Sequence, residues 1–256
     1  MVFYFTATGN SLYAARQLDK NTMSIPQVMR CKSLRRFADE TIGVVYPIYG
    51  HRPPEMVQRF LREVTLDTPY LYIIPTYGAR HANAVDIVSD ICRASGKAPA
   101  YIHTLLMVDN YLPAFDMDGQ RALDKHVDAQ LAEIKADIAG RKRYIEPVTD
   151  NDRAAHANFL KYEAALPDRS LAGLVYATDR CIGCGVCERV CPGGCIRVNG
   201  TAHFDYTNCQ GCLACAHACT QRAIALRIPE INPDARYRNV HVTLQDIIYA
   251  NNCTNN

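Results

Sequence analysis

The chain has no tryptophan among its 256 residues and no run of eighteen consecutive apolar residues. The second absence leaves no expected membrane-spanning helix. An excess of either charge is also missing. Lysine and arginine total 28 against 26 aspartates and glutamates, a formal +2. So small a surplus gives no reason to expect nucleic acid or an anionic membrane as a partner. The opening "MVFYF" lacks a basic leader region and a small-residue cleavage site, so it reads as a buried strand and not a signal peptide. No pyridine-nucleotide motif occurs, so direct oxidation of NAD(P)H is not expected.

Cysteine, by contrast, is abundant. There are 12, nine of them between Cys181 and Cys219, with Cys31, Cys92 and Cys253 scattered elsewhere. A disulfide-stapled secreted scaffold would be short and carry a leader. Metal ligation in a reducing, cytoplasmic setting is the better reading. "CIGCGVCERVCP" places Cys181, Cys184, Cys187 and Cys191 in the order C-x2-C-x2-C-x3-C-P, and "CQGCLACAHACT" repeats it with Cys209, Cys212, Cys215 and Cys219. This is the spacing by which thiolates hold [4Fe–4S] clusters. Zinc also uses C-x2-C pairs, but normally as two separated pairs. The doubled run of four therefore favours clusters. Gly183 and Gly211 fall at matching loop positions, where a side chain would crowd the inorganic sulfides. Thr220 stands where Pro192 stands in the first copy. Cys195 corresponds to Ala223 and is expected to pack near a cluster. Arg180, Arg189, Arg197 and Arg222 lie near the ligands in sequence and would raise a cluster's potential if near it in space.

The first 110 residues alternate apolar runs with helical patterns. "VFYF" (2–5), "IGVVY" (42–46), "YLYIIP" (70–75) and "YIHTLLMV" (101–108) are continuous enough for strands covered on both faces. "SIPQVM" (24–29) is a weaker strand candidate, and its Pro26 would suit only an edge. Helical spacing appears at Leu12, Ala15 and Leu18. It recurs at Met56, Val57, Phe60, Leu61 and Val64, and again at Ala84, Val85, Val88, Ile91 and Cys92. A further amphipathic helix runs from Leu123 to Ile138 and ends at Gly140. Residues 151–166 read as another helix, with 167–173 as a connection. A last helix over 243–250 is capped by Thr243. Repeated βα units imply an α/β fold with a parallel sheet.

Between the first strand and the first helix stands "TATGNS". A helix start offers unpaired N–H groups and a partial positive charge. Gly9 permits close backbone approach, and Thr6, Thr8, Asn10 and Ser11 add donors. Taken alone, such a turn serves equally well as a helix cap.

The segment resembles the FMN-phosphate loop of flavodoxins, and the cysteine repeat resembles bacterial two-cluster ferredoxins. Together, with the tail "RYRNVHVTLQDII", the chain is similar to a family of flavodoxin–ferredoxin fusions found mainly in anaerobic prokaryotes. That resemblance implies a doubly wound five-stranded parallel sheet and a small α+β domain. The expected boundaries are 1–170 for the FMN-binding part, 171–228 for the ferredoxin-like part and 229–256 for a tail packed on the body. FMN would be held by Thr6, Thr8, Gly9, Asn10 and Ser11, then by "YPIYGHRPP" and "PTYGARHAN". The latter contribute Pro47, Tyr49, Gly50, Thr76, Tyr77 and Gly78, with the two tyrosines as candidates to stack on the ring. His51, Arg52, Arg80 and His81 are expected to be solvated. Carried across, the fourth cysteine of each run serves the other cluster. One set is Cys181, Cys184, Cys187 and Cys219, and the other is Cys209, Cys212, Cys215 and Cys191.

The function expected is electron transfer between two [4Fe–4S] clusters and FMN, with a redox protein as partner. One alternative is an FMN-dependent reductase fed by its own clusters, with "DNYLPAFDMD" (109–118) as a lid carrying Pro113 and Phe115. The other is a cluster-carrying binding module without FMN.

Overall fold

A computed structural model describes residues 1–31, 33, 35–166, 171 and 173–253. Its contacts divide the chain into two units. The first holds Met1–Phe5, Ser11–Met107 and Lys125–Arg169; the second holds Thr6–Asn10, Val108–Asp124 and Ser170–Asn256.

The first unit is a mixed α/β body on a parallel sheet. The strands lie in the order Thr22–Ser24, Val2–Tyr4, Ile42–Pro47, Leu71–Tyr77, Tyr101–Ile102 and Tyr144–Ile145, and Leu105–Leu106 also pairs with Leu71–Tyr77, seven strands in all. Every pairing is parallel. The central strands are buried end to end: Phe3, Val44, Val45, Ile73 and Ile74 are fully covered. That is the physical reason for unbroken apolar runs, since helices lie on both faces. The helical spacings are realised in Glu55–Glu63, which buries Met56, Val57, Phe60 and Leu61, and in Ala84–Ala94, which buries Ala84, Val85, Val88 and Cys92.

The sheet departs from the expected five strands at one edge. The run 101–108 is interrupted at Thr104, whose N–H and hydroxyl donate to the Glu146 carboxylate at 2.6 and 3.0 Å. A backbone donor given to a side chain is withdrawn from the ladder. Two short strands result, and Tyr144–Ile145 adds a further edge. The weak strand candidate over 24–29 is also corrected. Its strand, Thr22–Ser24, ends where the candidate begins, and Ile25–Cys31 is a helix. Pro26 sits in the first helical turn, where a missing N–H costs nothing.

The helix Val127–Ala139 begins four residues after Leu123 and ends at Gly140. Asp150–Ala165 is a helix with a Thr149/Asp152 capping box. The connection expected over 167–173 lies largely outside the described residues.

The second unit carries the internal repeat. Val175–Ala177 pairs antiparallel with Ile224–Leu226, and Ile196–Asn199 with Thr201–Phe204. The helices Val186–Arg189 and Ala214–Ala218 occupy equivalent places. The repeat extends to the backbone. Positive φ recurs 28 residues apart at Gly183 (65°) and Gly211 (63°), Gly185 (76°) and Leu213 (56°), and Gly194 (64°) and Arg222 (49°). Leu213 and Arg222 hold a conformation that side chains disfavour, so the loop geometry outweighs local preference. The tail ends in Leu244–Asn251, capped by Thr243 and Asp246. Among the described residues no helix is long and apolar enough to cross a membrane.

Candidate functional site

Two cavities in the second unit are lined by cysteine. One, of about 330 Å³, is bordered by Cys181, Cys184, Cys187 and Cys219. The other, of about 420 Å³, is bordered by Cys191, Cys209, Cys212 and Cys215, with Cys195 beside them. The fourth cysteine of each run thus lines the cavity of the other run. Each tight loop turns through left-handed glycines. A methyl at Gly183 would lie 2.6 Å from the Gly200 carbonyl oxygen. At Gly183 the close backbone approach is by itself a reason for glycine.

The environment favours thiolate at some positions and opposes it at others. The Thr201 hydroxyl, then the Gly183 and Ala202 amides, donate to Cys181 and hold its thiol below the usual range, against some desolvation. The Cys195 thiol does the same for Cys191 and Cys209. Burial pushes Cys187, Cys212 and Cys215 upward. Buried thiols of this kind ionise only with a positive centre to compensate. Among the described residues no three His, Cys, Asp or Glu side chains converge closely enough for a single metal ion. That bears against zinc, which bonds sulfur at about 2.3 Å.

Three of the four arginines have protein partners. Arg197 bonds the Gly194 and Ile196 carbonyls and lies 3.7 Å from Glu188. Arg222 lies 3.6 Å from Asp234, and Arg189 reaches the Gly185 carbonyl. Arg180 is exposed.

Residues 174–197 match the family model described as a 4Fe-4S binding domain. Over 48 residues the chain is 50% identical to a component of the ion-translocating oxidoreductase complex of Methanosarcina acetivorans, covering 18% of each chain. Over another 48-residue alignment it is 42% identical to the PorD component of pyruvate synthase from Methanothermobacter marburgensis, covering 19% of this chain and 57% of that one. The chain therefore spans less than two thirds of each of these relatives. A ferredoxin-like [4Fe–4S] domain is present, with at least one cluster.

The phosphate-loop candidate has a different outcome. Thr6, Thr8, Asn10 and Ser11 are all buried. Thr6 Oγ1 accepts the Gly9 N–H, and the Thr6 carbonyl accepts Asn251 Nδ2 at 3.0 Å. Thr8 Oγ1 accepts Asn110 Nδ2 at 2.6 Å, and its carbonyl accepts the Asn239 N–H at 2.8 Å. Asn10 Oδ1 accepts the Tyr237 hydroxyl at 2.7 Å and Asn239 Nδ2 at 3.1 Å, while its Nδ2 donates to the Val108 carbonyl. Ser11 Oγ lies 2.9 Å from Thr76 Oγ1. A methyl on Gly9 (φ 104°) would meet Val242 Cβ at 2.9 Å and Asn239 Cβ at 3.0 Å. The space a phosphate would take is filled by the tail.

The ring loops are only partly covered: Pro47, Tyr49, Tyr77 and Gly78 are half-buried and Gly50 is exposed. Pro47 pairs with Thr76 at neighbouring strand ends. Tyr49 is edge-on to Phe5, and Tyr77 is edge-on to His81. A methyl at Gly50 would lie 3.1 Å from the Phe159 ring. The Gly78 carbonyl accepts Lys125 Nζ. At the glycine turn, the residues expected to hold the FMN phosphate do not fit it.

Nor are the polar residues of these loops simply solvated. Arg52 pairs with Glu163 at 2.6 Å, His51 Nδ1 lies 3.4 Å from His156 Nδ1, and His81 Nε2 lies 3.9 Å from Glu146. Arg80 alone of the four is exposed, as expected. In the segment 109–118, Leu112 and Met117 belong to the apolar core around the cysteines, and the Leu112 carbonyl accepts the Ile231 N–H. Sequence reasoning missed the tail residues Tyr237, Asn239 and Asn251. Nothing local marks them as partners of a loop more than two hundred positions earlier.

Proposed function

We propose that the chain is an electron-transfer protein with two [4Fe–4S] centres, carried on the same polypeptide as a flavodoxin-like scaffold that does not use FMN. The observation that carries this reading is the pair of cysteine-lined cavities, each bordered by four repeat cysteines. One centre takes Cys181, Cys184, Cys187 and Cys219; the other takes Cys191, Cys209, Cys212 and Cys215. Such centres supply one-electron transfer. The residues supply thiolate ligands, amide and hydroxyl donors toward sulfur, and an apolar wall that limits water. Strand order in the first unit, which reverses between Val2–Tyr4 and Ile42–Pro47, supports the flavodoxin-like description. The loop packing at Gly9 supports the FMN-free form. Partners of matching chemistry are redox proteins, in keeping with relatives that are named as parts of larger complexes. Free thiolate ligands suit a reducing compartment, the cytoplasm.

The test is anaerobic reconstitution with iron and sulfide. Eight iron and eight sulfide per chain are expected from two cubes, with no bound flavin when FMN is supplied. Cys191→Ala should abolish the centre of the second run and Cys219→Ala that of the first. Four iron per chain in the unaltered protein, or retention of both centres in either variant, would defeat the assignment.

A further inference from the structure

The two centres differ in one respect that the repeat does not carry over. Where the first cavity has Ala223, the second has Cys195. The backbone contribution is shared: the Ala223 N–H donates to Cys219 Sγ at 3.2 Å, and the Cys195 N–H donates to Cys191. Cys195 adds a thiol. Its Sγ lies 3.4 Å from Cys191 Sγ and also reaches Cys209. Its side chain is buried, so no water competes for that proton. Cys191 and Cys209 act as thiolates when they ligate iron and can only accept. Cys195 is then the donor, with one proton to share between them.

We propose that Cys195 is a tuning residue for the second centre, donating its S–H to the ligands Cys191 and Cys209 and so raising that centre's reduction potential. The assignment rests on the two-centre reading. Its physics is that reduction adds negative charge to the ligand sulfurs, and a hydrogen bond to sulfur stabilises the reduced form more than the oxidised one. Cys195 touches ligands of one centre only, so one midpoint should respond to its removal. Cys195 is a non-ligand: four repeat cysteines already complete the set around its cavity.

The full chain, loaded anaerobically, is titrated potentiometrically with EPR detection as wild type, Cys195→Ala, Cys195→Ser and Thr201→Val. Cys195→Ala should keep its full complement of iron and lower one midpoint. At fixed potential the reduced-to-oxidised ratio of that centre falls about tenfold, or about 59 mV for one electron. Thr201→Val, which lies outside the lining of the Cys195 cavity, should leave the Cys195-dependent midpoint in place. Cys195→Ser, which restores a donor, should return the shifted midpoint to the wild-type value or above it. Loss of iron in Cys195→Ala would make it a ligand and overturn the proposal. So would unmoved midpoints in a protein holding eight iron, or both midpoints moving together. Four iron in the wild type would overturn the two-centre reading, and the proposal with it.

Discussion

Replacing Asn10 by alanine is the sharpest test of how the glycine turn is used. Asn10 is 7% exposed, and its side chain has three partners: the Tyr237 hydroxyl, Asn239 Nδ2 and the Val108 carbonyl. Alanine removes all three bonds. Val108 is only partly buried and can rehydrate, but Tyr237 and Asn239 are 5% and 6% exposed. Each stranded buried group costs about 1–3 kcal/mol, so the variant should lose about 2–4 kcal/mol. Near 3 kcal/mol, opening of the tail becomes more populated by roughly two orders of magnitude. Amide hydrogen exchange over 235–251 reads this directly. Tyr237→Phe leaves Asn10 Oδ1 still bonded to Asn239 and should cost about 1 kcal/mol. The double variant should then cost less than the sum, because the two changes share a bond. A phosphate loop waiting for its ligand would behave otherwise, since its side chains would face water and tolerate alanine. Wild-type exchange in Asn10→Ala, or strict additivity in the cycle, would refute the reasoning.

Gly9→Ala meets both a left-handed backbone and Val242 at 2.9 Å; it should lose about 2–5 kcal/mol in thermal unfolding without any flavin present. FMN fluorescence should remain unquenched on titration with the wild-type protein, and saturable quenching would overturn the reading of the filled loop. Desolvation, with the neighbouring cationic side chains, lowers the folded-state pKa of both His51 and His156 from 6.5. Both are therefore favoured as neutral groups: their stabilisation is full above that value and is lost as pH falls toward the folded-state values, where the unfolded chain binds more protons. Exchange protection of Asp150–Ala165, corrected for intrinsic rate, should be weaker at pH 5.5 than at 7.5, and His156→Phe should flatten that difference; equal protection in the wild type would count against it.

Ligand spacings of three and four residues are local, so one loop determines them and the sequence displays them. The βα alternation is legible for the same reason: strands covered on both faces need unbroken apolar runs, and helices reveal their buried side every third or fourth residue. Asn10 and Tyr237, by contrast, are 227 positions apart. Their pairing depends on how the tail returns, and no periodicity encodes that. The break at Thr104 likewise depends on Glu146, a carboxylate delivered by a later strand.

By itself, then, the sequence determined the cluster chemistry, the parallel α/β body and the apolar faces of its main helices, because short-range spacing and periodicity dictate each of them. Only the tertiary structure decided whether the glycine turn stands open or filled. The same residue types suit a phosphate and a buried amide network equally well, and the choice lies with whichever distant segment packs there at lowest free energy, here the tail at Val242, Asn239 and Tyr237.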